Sequence, residues 1–163
     1  MMKICIVEDD TNFRKALEIT FGDYPQYEIV SFKNAKEALD GIDGSFDVVI
    51  TDINMPKMDG LQFLSALQEQ GSGHYKAIVI TGNASVQNAI KAIRLGVKDF
   101  LIKEKNIEKE MIEALERIAK EQERELNALD SKANTQKLQA SAPKSPSKKN
   151  TEANLVESKR FIA

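Results

Sequence analysis

Short apolar runs and helical stretches alternate along the first 130 residues of the chain. The apolar runs are rich in Ile, Val and Phe, as buried strands are, and each ends at a polar residue or a turn. We predict five strands, at Lys3 to Val7, Tyr27 to Phe32, Asp47 to Thr51, Lys76 to Thr81 and Phe100 to Ile102. After each strand, apolar residues recur every three or four positions, which predicts an amphipathic helix. The last helix is predicted to extend to about Leu129.

Five strands that alternate with five helices predict an α/β domain with a doubly wound parallel sheet. Right-handed crossovers place the helices on both faces of such a sheet. The expected strand order is 2-1-3-4-5, as in flavodoxin-like folds, and the predicted domain covers residues 1–125. Ligands bind these sheets outside the carboxyl ends of the strands, where the strand order reverses. The residues at those ends are therefore the candidates for function.

The last residues, 131–163, differ from the rest in composition and charge. They hold 7 Lys+Arg and 2 Asp+Glu, a balance of +5, which leaves −7 for residues 1–130. Ser, Lys, Ala, Asn and Pro dominate, so this segment has too little apolar surface to offset the entropy of ordering. We predict a basic, disordered tail, with a short docking peptide near its end as the alternative. Such a tail can contact phosphates without recognising bases, so we expect no specific nucleic-acid binding.

The composition excludes several classes of protein. Hydrophobic residues make up 42% and charged residues 29%, as in ordinary globular domains. No apolar run approaches the ~18 residues of a membrane span, so we expect a cytoplasmic protein without membrane contact. Cys5 is the only cysteine and His74 the only histidine, which excludes a disulfide scaffold and a structural zinc site. Cys5 is interpreted as a core residue.

Four of the five predicted strands deliver a reactive polar side chain to the same edge of the sheet. These side chains are Glu8 and Asp9 after the first strand, Asp52 after the third, Thr81 after the fourth and Lys103 after the fifth. Any one of them alone is more simply a helix cap or turn residue. Because the first and third strands are neighbours in the expected order, the three carboxylates should converge and repel one another. Oxygen ligands in such a cluster predict a Mg²⁺ site.

Asp52 is also expected within reach of Lys103 and Thr81. A carboxylate in that position can attack a phosphoryl group and form an acyl phosphate. The Lys103 ammonium and the Thr81 hydroxyl would then hold the phosphoryl oxygens. We therefore predict Asp52, Lys103 and Thr81 as catalytic residues.

Motifs at the strand ends resemble the receiver domain of two-component response regulators over about residues 2–120. The motifs are Lys3-Ile-Cys-Ile-Val-Glu-Asp-Asp10, Phe46-Asp-Val-Val-Ile-Thr-Asp-Ile-Asn-Met-Pro-Lys-Met-Asp-Gly60, Ile78-Val-Ile-Thr-Gly82 and Gly96-Val-Lys-Asp-Phe-Leu-Ile-Lys103. The resemblance implies that a sensor histidine kinase phosphorylates Asp52 and that Lys103 pairs with the phosphoryl group. Mg²⁺ would be held by Glu8, Asp9, Asp52 and the main-chain carbonyl of Asn54. Thr81 and Phe100 would form the switch.

One position departs from the family pattern. The family usually has proline after the lysine, often with a cis peptide bond, whereas this chain has Glu104. A cis bond to a residue other than proline costs ~2.5–4 kcal/mol, so we expect a trans Lys103–Glu104 peptide bond.

The resemblance leaves several functions open. The leading prediction is a receiver that catalyses its own phosphorylation and dephosphorylation, is not a stand-alone enzyme, and binds a downstream protein through a face at about residues 84–120. The alternatives are a phosphorelay intermediate that passes phosphate to another histidine protein, and the receiver part of a longer transcriptional regulator. A Mg²⁺-dependent phosphohydrolase and a non-catalytic α/β binding domain are the remaining hypotheses.

Overall fold

The alternation predicted from the sequence is present in the fold. A computed structural model of the chain describes residues 1–71 and 73–140, with side chains as far as Ala133. The elements are β1 (Met2–Val7), α1 (Thr11–Gly22), β2 (Tyr27–Phe32), α2 (Ala35–Gly41), β3 (Val48–Asp52), α3 (Gly60–Glu69), β4 (Lys76–Thr81), α4 (Val86–Arg94), β5 (Asp99–Ile102) and α5 (Ile107–Ala140).

The five strands form one parallel sheet in the order β2-β1-β3-β4-β5, which confirms the predicted topology. The register aligns the carboxyl ends of neighbouring strands. Val7 pairs with Thr51 across β1 and β3, and Thr81 pairs with Ile102 across β4 and β5. The segments that follow the strands therefore start from one edge of the sheet.

Two apolar clusters cover the two faces of this sheet. In β3, Val49 belongs to one cluster, whereas Val48 and Ile50 belong to the other, because alternate residues of a strand point to opposite faces. The helices α2, α3 and α4 complete the first cluster, and α1 and α5 complete the second. All five residues of β3 are buried. This strand is thus held from both sides, as expected for a parallel sheet.

Side-chain caps fix the start of the four helices α1 to α4. The cap residues are Asp10, Asn34, Asp59 and Ser85, each of which accepts a hydrogen bond from a main-chain N–H of the first helical turn. The N–H groups at the start of a helix have no acceptor within the helix, and each cap residue supplies one. The caps therefore fix the segments that join the carboxyl ends of β1 to β4 to the helices that follow them.

The helix α5 continues to Ala140, beyond the predicted end near Leu129. Residues 131–140 are helical where composition predicts a disordered tail, because Ala, Lys, Gln and Leu favour helices and the next proline is Pro143. The rest of the predicted tail, residues 141–163, lies outside the described residues. The chain divides into two units, Met1–Glu123 and Arg124–Ala163. Within the described residues, no helix combines the length and apolar character needed to cross a membrane.

Gly60 provides a test of the packing between α3 and β3. A Cβ atom at this position would lie 1.9 Å from the main-chain oxygen of Asp52, so the backbone would have to move. We expect Gly60→Ala to lower the free energy of unfolding by ~1–3 kcal/mol or more, as measured by urea denaturation. Gly22→Ala is the matched control, because nothing lies within 4 Å of the added atom. Equal stabilities of the two variants would contradict this packing.

Cys5 provides a second test, because its side chain is fully buried in the core and burial raises the pKa of its thiol. Only a thiolate exposed by unfolding can react with a thiol reagent. We expect Cys5 of the native protein to react with a disulfide reagent about a thousandfold or more slowly than that of the urea-unfolded chain. Rapid labelling under native conditions would show that this strand is not in the core.

Candidate functional site

Three acidic side chains meet at the carboxyl edge of the sheet. Glu8 and Asp9 follow β1, and Asp52 ends β3, so the adjacent pairing of these strands brings them together. Each carboxylate offers one oxygen, and the three oxygens lie within 4.8 Å of one another. Glu8 and Asp52 are buried, whereas Asp9 is exposed. The structure thus places the predicted acidic residues in one cluster.

Lys103 reaches this cluster from the end of β5. Its Nζ donates hydrogen bonds to Glu8 Oε2 at 2.7 Å and to Asp52 Oδ2 at 2.9 Å. Burial lowers the pKa of Lys103, but the bonds to the two carboxylates outweigh it, so the pKa is raised. The lysine therefore remains an ammonium and bridges the two buried acids.

Both oxygens of Glu8 have partners. Oε2 accepts from Lys103, and Oε1 accepts from the main-chain N–H of Asp10 at 3.0 Å. Burial raises the pKa of Glu8, although these two hydrogen bonds act in the opposite direction. The main-chain oxygen of Glu8 also accepts from Arg14 Nη1 at 2.6 Å. Glu8 is thus held at the start of α1 from three directions.

Asp52 is held on one side only. Its Oδ2 accepts from Lys103, whereas its Oδ1 is buried and has no hydrogen-bond partner among the described residues. A buried polar atom without a partner typically costs ~1–3 kcal/mol, so its presence in a native fold requires a reason. The arrangement leaves this oxygen free to bind a cation or to act as a nucleophile.

The donor set of the cluster fits a hard divalent cation. The cluster brings three carboxyl groups together with one ammonium, so its acidic groups outnumber its cations and a divalent ion would offset their mutual repulsion. Mg²⁺ takes one or two carboxylates and retains several waters, which suits the exposed Asp9 and the unpartnered oxygen of Asp52. The residues present therefore fit the expected ion.

Thr81 and Asn54 are linked to each other. The buried Thr81 hydroxyl donates to the main-chain oxygen of Asn83 at 3.2 Å and accepts from the Asn83 N–H at 3.1 Å. It also accepts from Asn54 Nδ2 at 3.2 Å. The sequence analysis assigned only the main-chain carbonyl of Asn54 to the site, and no sequence pattern indicated this side-chain contact. In this conformation the hydroxyl of Thr81 is directed to the loop after β4.

Phe100, the predicted switch residue, is half-buried in β5. It pairs with Val79 of β4 and packs against the apolar cluster that contains α4. The aromatic ring therefore lies on the face of the sheet that α2, α3 and α4 cover.

The loop after Lys103 has the expected peptide geometry. No peptide bond within residues 1–71 and 73–140 is cis, which agrees with the prediction of a trans bond between Lys103 and Glu104. The N–H of Glu104 donates to the main-chain oxygen of Ile102 at 2.7 Å, a bond that proline could not form. The N–H of Lys103 donates to the oxygen of Thr81 at 2.8 Å and thereby ties the lysine to β4.

An open cleft of about 510 Å³ lies beside Asp9. Its lining includes Lys33, Lys36 and Lys57 together with Glu37. The cleft lets solvent and small molecules approach the exposed member of the acidic cluster.

Known proteins with similar sequences include a transcriptional regulator and a chemotaxis protein. The chain is 62% identical over 102 residues to the transcriptional regulatory protein FlgR of Helicobacter pylori, an alignment that covers 63% of this chain and 26% of FlgR. It is 32% identical over 110 residues to the chemotaxis protein CheY-3 of Vibrio cholerae, covering 63% of this chain and 80% of CheY-3. The chain thus matches only about a quarter of the length of FlgR.

Solved structures show the same likeness. The N-terminal domain of an uncharacterized protein from Wolinella succinogenes superposes with a TM-score of 0.67 at 34% identity, covering 77% of this chain and 99% of that one. The sequence model of the response regulator receiver domain matches residues 4–122. The chain therefore belongs to the family of response regulator receiver domains.

Proposed function

We propose that the chain accepts a phosphoryl group on Asp52 from the phosphohistidine of a sensor histidine kinase, in a Mg²⁺-dependent reaction in the cytoplasm. The observation that carries this proposal is the buried Oδ1 of Asp52, which has no hydrogen-bond partner in the described part of the chain, whereas Oδ2 accepts a hydrogen bond from Lys103. Oδ1 is the nucleophile: it forms a bond to phosphorus while the phosphorus–nitrogen bond of the donor breaks. The imidazole nitrogen keeps the electron pair of the broken bond and takes a proton from water.

The residues around Asp52 can support that transfer mainly by charge and position. Lys103 stabilises the carboxylate before the reaction and is near enough to bind a phosphoryl oxygen afterwards. We assign the metal ligands to Glu8, Asp9, Asp52 and the main-chain carbonyl of Asn54, the first three of which form the acidic cluster. Bound Mg²⁺ would neutralise the carboxylates and the incoming phosphoryl oxygens.

The switch in this proposal is a change of partner at Thr81. To bind a phosphoryl group on Asp52, the Thr81 hydroxyl gives up its hydrogen bonds with Asn83 and Asn54. Space vacated near β4 is then available to the half-buried ring of Phe100, the neighbour of Val79 in the sheet. Phosphorylation would thereby shift the population toward a second conformation on the α4 side of the domain.

The proposed output is the binding of a downstream protein to a face of the domain at about residues 84–120. On α4, Val86 and Ile93 are 72% and 74% exposed, and Ile90 lies between them at helical spacing with 44% exposed. Ile102 of β5 is also exposed. Exposed apolar side chains that share a helix face support a protein interaction surface.

A second candidate is the receiver part of a longer transcriptional regulator. The 62% identity with FlgR, which carries that description, supports it. Both candidates use the same phosphoryl chemistry, so the tests below apply to either.

Substitution of Asp52 tests the proposed chemistry. The chain is incubated with Mg²⁺ and a small acyl phosphodonor, and its mass is measured intact. We expect one added phosphoryl group on the wild type and none on Asp52→Asn, because the amide cannot act as the nucleophile. The wild type with a chelator should also gain none.

Asp23→Asn is the matched control for this experiment, since Asp23 is exposed and lies at the other end of α1. It should be labelled as the wild type is. Equal labelling of Asp52→Asn and wild type would show that the acceptor is another residue.

Thermal unfolding tests the metal assignment separately. A ligand that binds only the native state at about 100 times its Kd stabilises by ~2.7 kcal/mol, so saturating Mg²⁺ should raise the Tm of the wild type. We expect Asp9→Asn to lose most of this increase in Tm and Asp23→Asn to keep it, because Asp9 belongs to the acidic cluster and Asp23 does not. An increase unchanged in Asp9→Asn would place the ion elsewhere.

A further inference from the structure

The ammonium of Lys103 has a third neighbour besides the two carboxylates. Its Nζ lies 4.6 Å from the centre of the Phe13 ring. Two of its three N–H groups donate to Glu8 and Asp52. The ring lies within the distance at which an aromatic face attracts an ammonium group.

The start of α1 holds Phe13 in this place. The N-cap residue Asp10 accepts hydrogen bonds from the main-chain N–H groups of Asn12 at 2.8 Å and Phe13 at 3.0 Å. The half-buried ring also packs against the cluster between α1, α5 and the sheet. Glu8 belongs to the same connection between β1 and α1. One short segment therefore supplies both a carboxylate and an aromatic ring to a single ammonium.

The two kinds of contact respond differently to a ligand in the pocket. A cation at the cluster, or a phosphoryl group on Asp52, competes for the carboxylate oxygens that now bind Lys103. The uncharged ring of Phe13 offers no such oxygen, so a cation or a phosphoryl group does not compete with Lys103 for it. Its effect is strengthened by burial, since only 19% of the Lys103 side chain is exposed.

We propose that Phe13 is a positioning residue for phosphoryl transfer: its ring holds the Lys103 ammonium at the pocket while the carboxylates change partners. This inference rests on the proposed function of Asp52 as phosphoryl acceptor. Phe13 acts through Lys103 and does not contact the reacting atoms itself.

The rate of phosphorylation of the full chain, with Mg²⁺ and a small acyl phosphodonor, tests the proposal. Phe13→Leu keeps an apolar side chain of similar size but removes the aromatic face. We expect it to label about two- to fivefold more slowly than the wild type, and Phe13→Tyr to recover most of the rate. In a Lys103→Met background, Phe13→Leu should cause no further slowing, because the ammonium on which the ring acts is gone.

Two results would overturn the proposal: labelling of Phe13→Leu at the wild-type rate, or the same slowing by Phe13→Leu when Lys103 is already replaced. The second result would indicate that Phe13 only supports the packing of α1. Urea denaturation of the same variants measures that structural contribution separately.

NMR of lysine-labelled protein provides a readout that does not need phosphorylation. A ring at this distance should shift the ε-methylene protons of Lys103 upfield in the wild type and in Phe13→Tyr. The shift should disappear in Phe13→Leu, and an unchanged signal there would refute the contact. If the wild type accepted no phosphoryl group, the proposed function would fail, and this measurement alone would decide whether Phe13 positions Lys103.

Discussion

The two ion pairs of Lys103 are the interaction on which the pocket depends. Glu8 and Asp52 are buried at the ends of neighbouring strands, where two carboxylates repel each other and lose hydration. The ammonium that compensates them comes from β5, which is separated from β3 by β4. The pocket therefore exists only when the sheet is assembled across its width. The third carboxyl group, from Asp9, and the Asp52 oxygen that has no partner among the described residues make it receptive to a cation and a phosphoryl group.

The scaffold around the pocket explains why such an arrangement is stable. Strand β3 is buried along its whole length, and the close approach of Gly60 to the oxygen of Asp52 leaves no room for a side chain. Caps such as Asp10 and Asp59 hold the adjoining helix starts. Burial of the apolar clusters on both faces of the sheet thus stabilises the fold enough to offset the cost of an unsatisfied polar atom at the edge of the sheet.

The contacts of Thr81 link this pocket to the rest of the domain. Its hydroxyl joins the loops after β3 and β4 through Asn54 and Asn83, and its main-chain oxygen accepts from Lys103. The next strand carries Phe100, which packs against the apolar cluster on the face of the sheet that α4 covers. A change of partner at Thr81 would therefore occur beside the elements that form the proposed interaction face.

The sequence alone determined the strands and the residues at their ends, because apolar periodicity depends only on local pattern. The strand order followed from the likeness to flavodoxin-like folds, whose right-handed crossovers limit the possible topologies. The sequence also indicated Glu8, Asp9, Asp52 and Lys103 as one group. Tertiary structure decided which oxygens are paired, that Asn54 binds Thr81, and that Phe13 lies against Lys103. These contacts join residues up to 95 positions apart, and side-chain orientation at such separations follows from packing and not from local pattern.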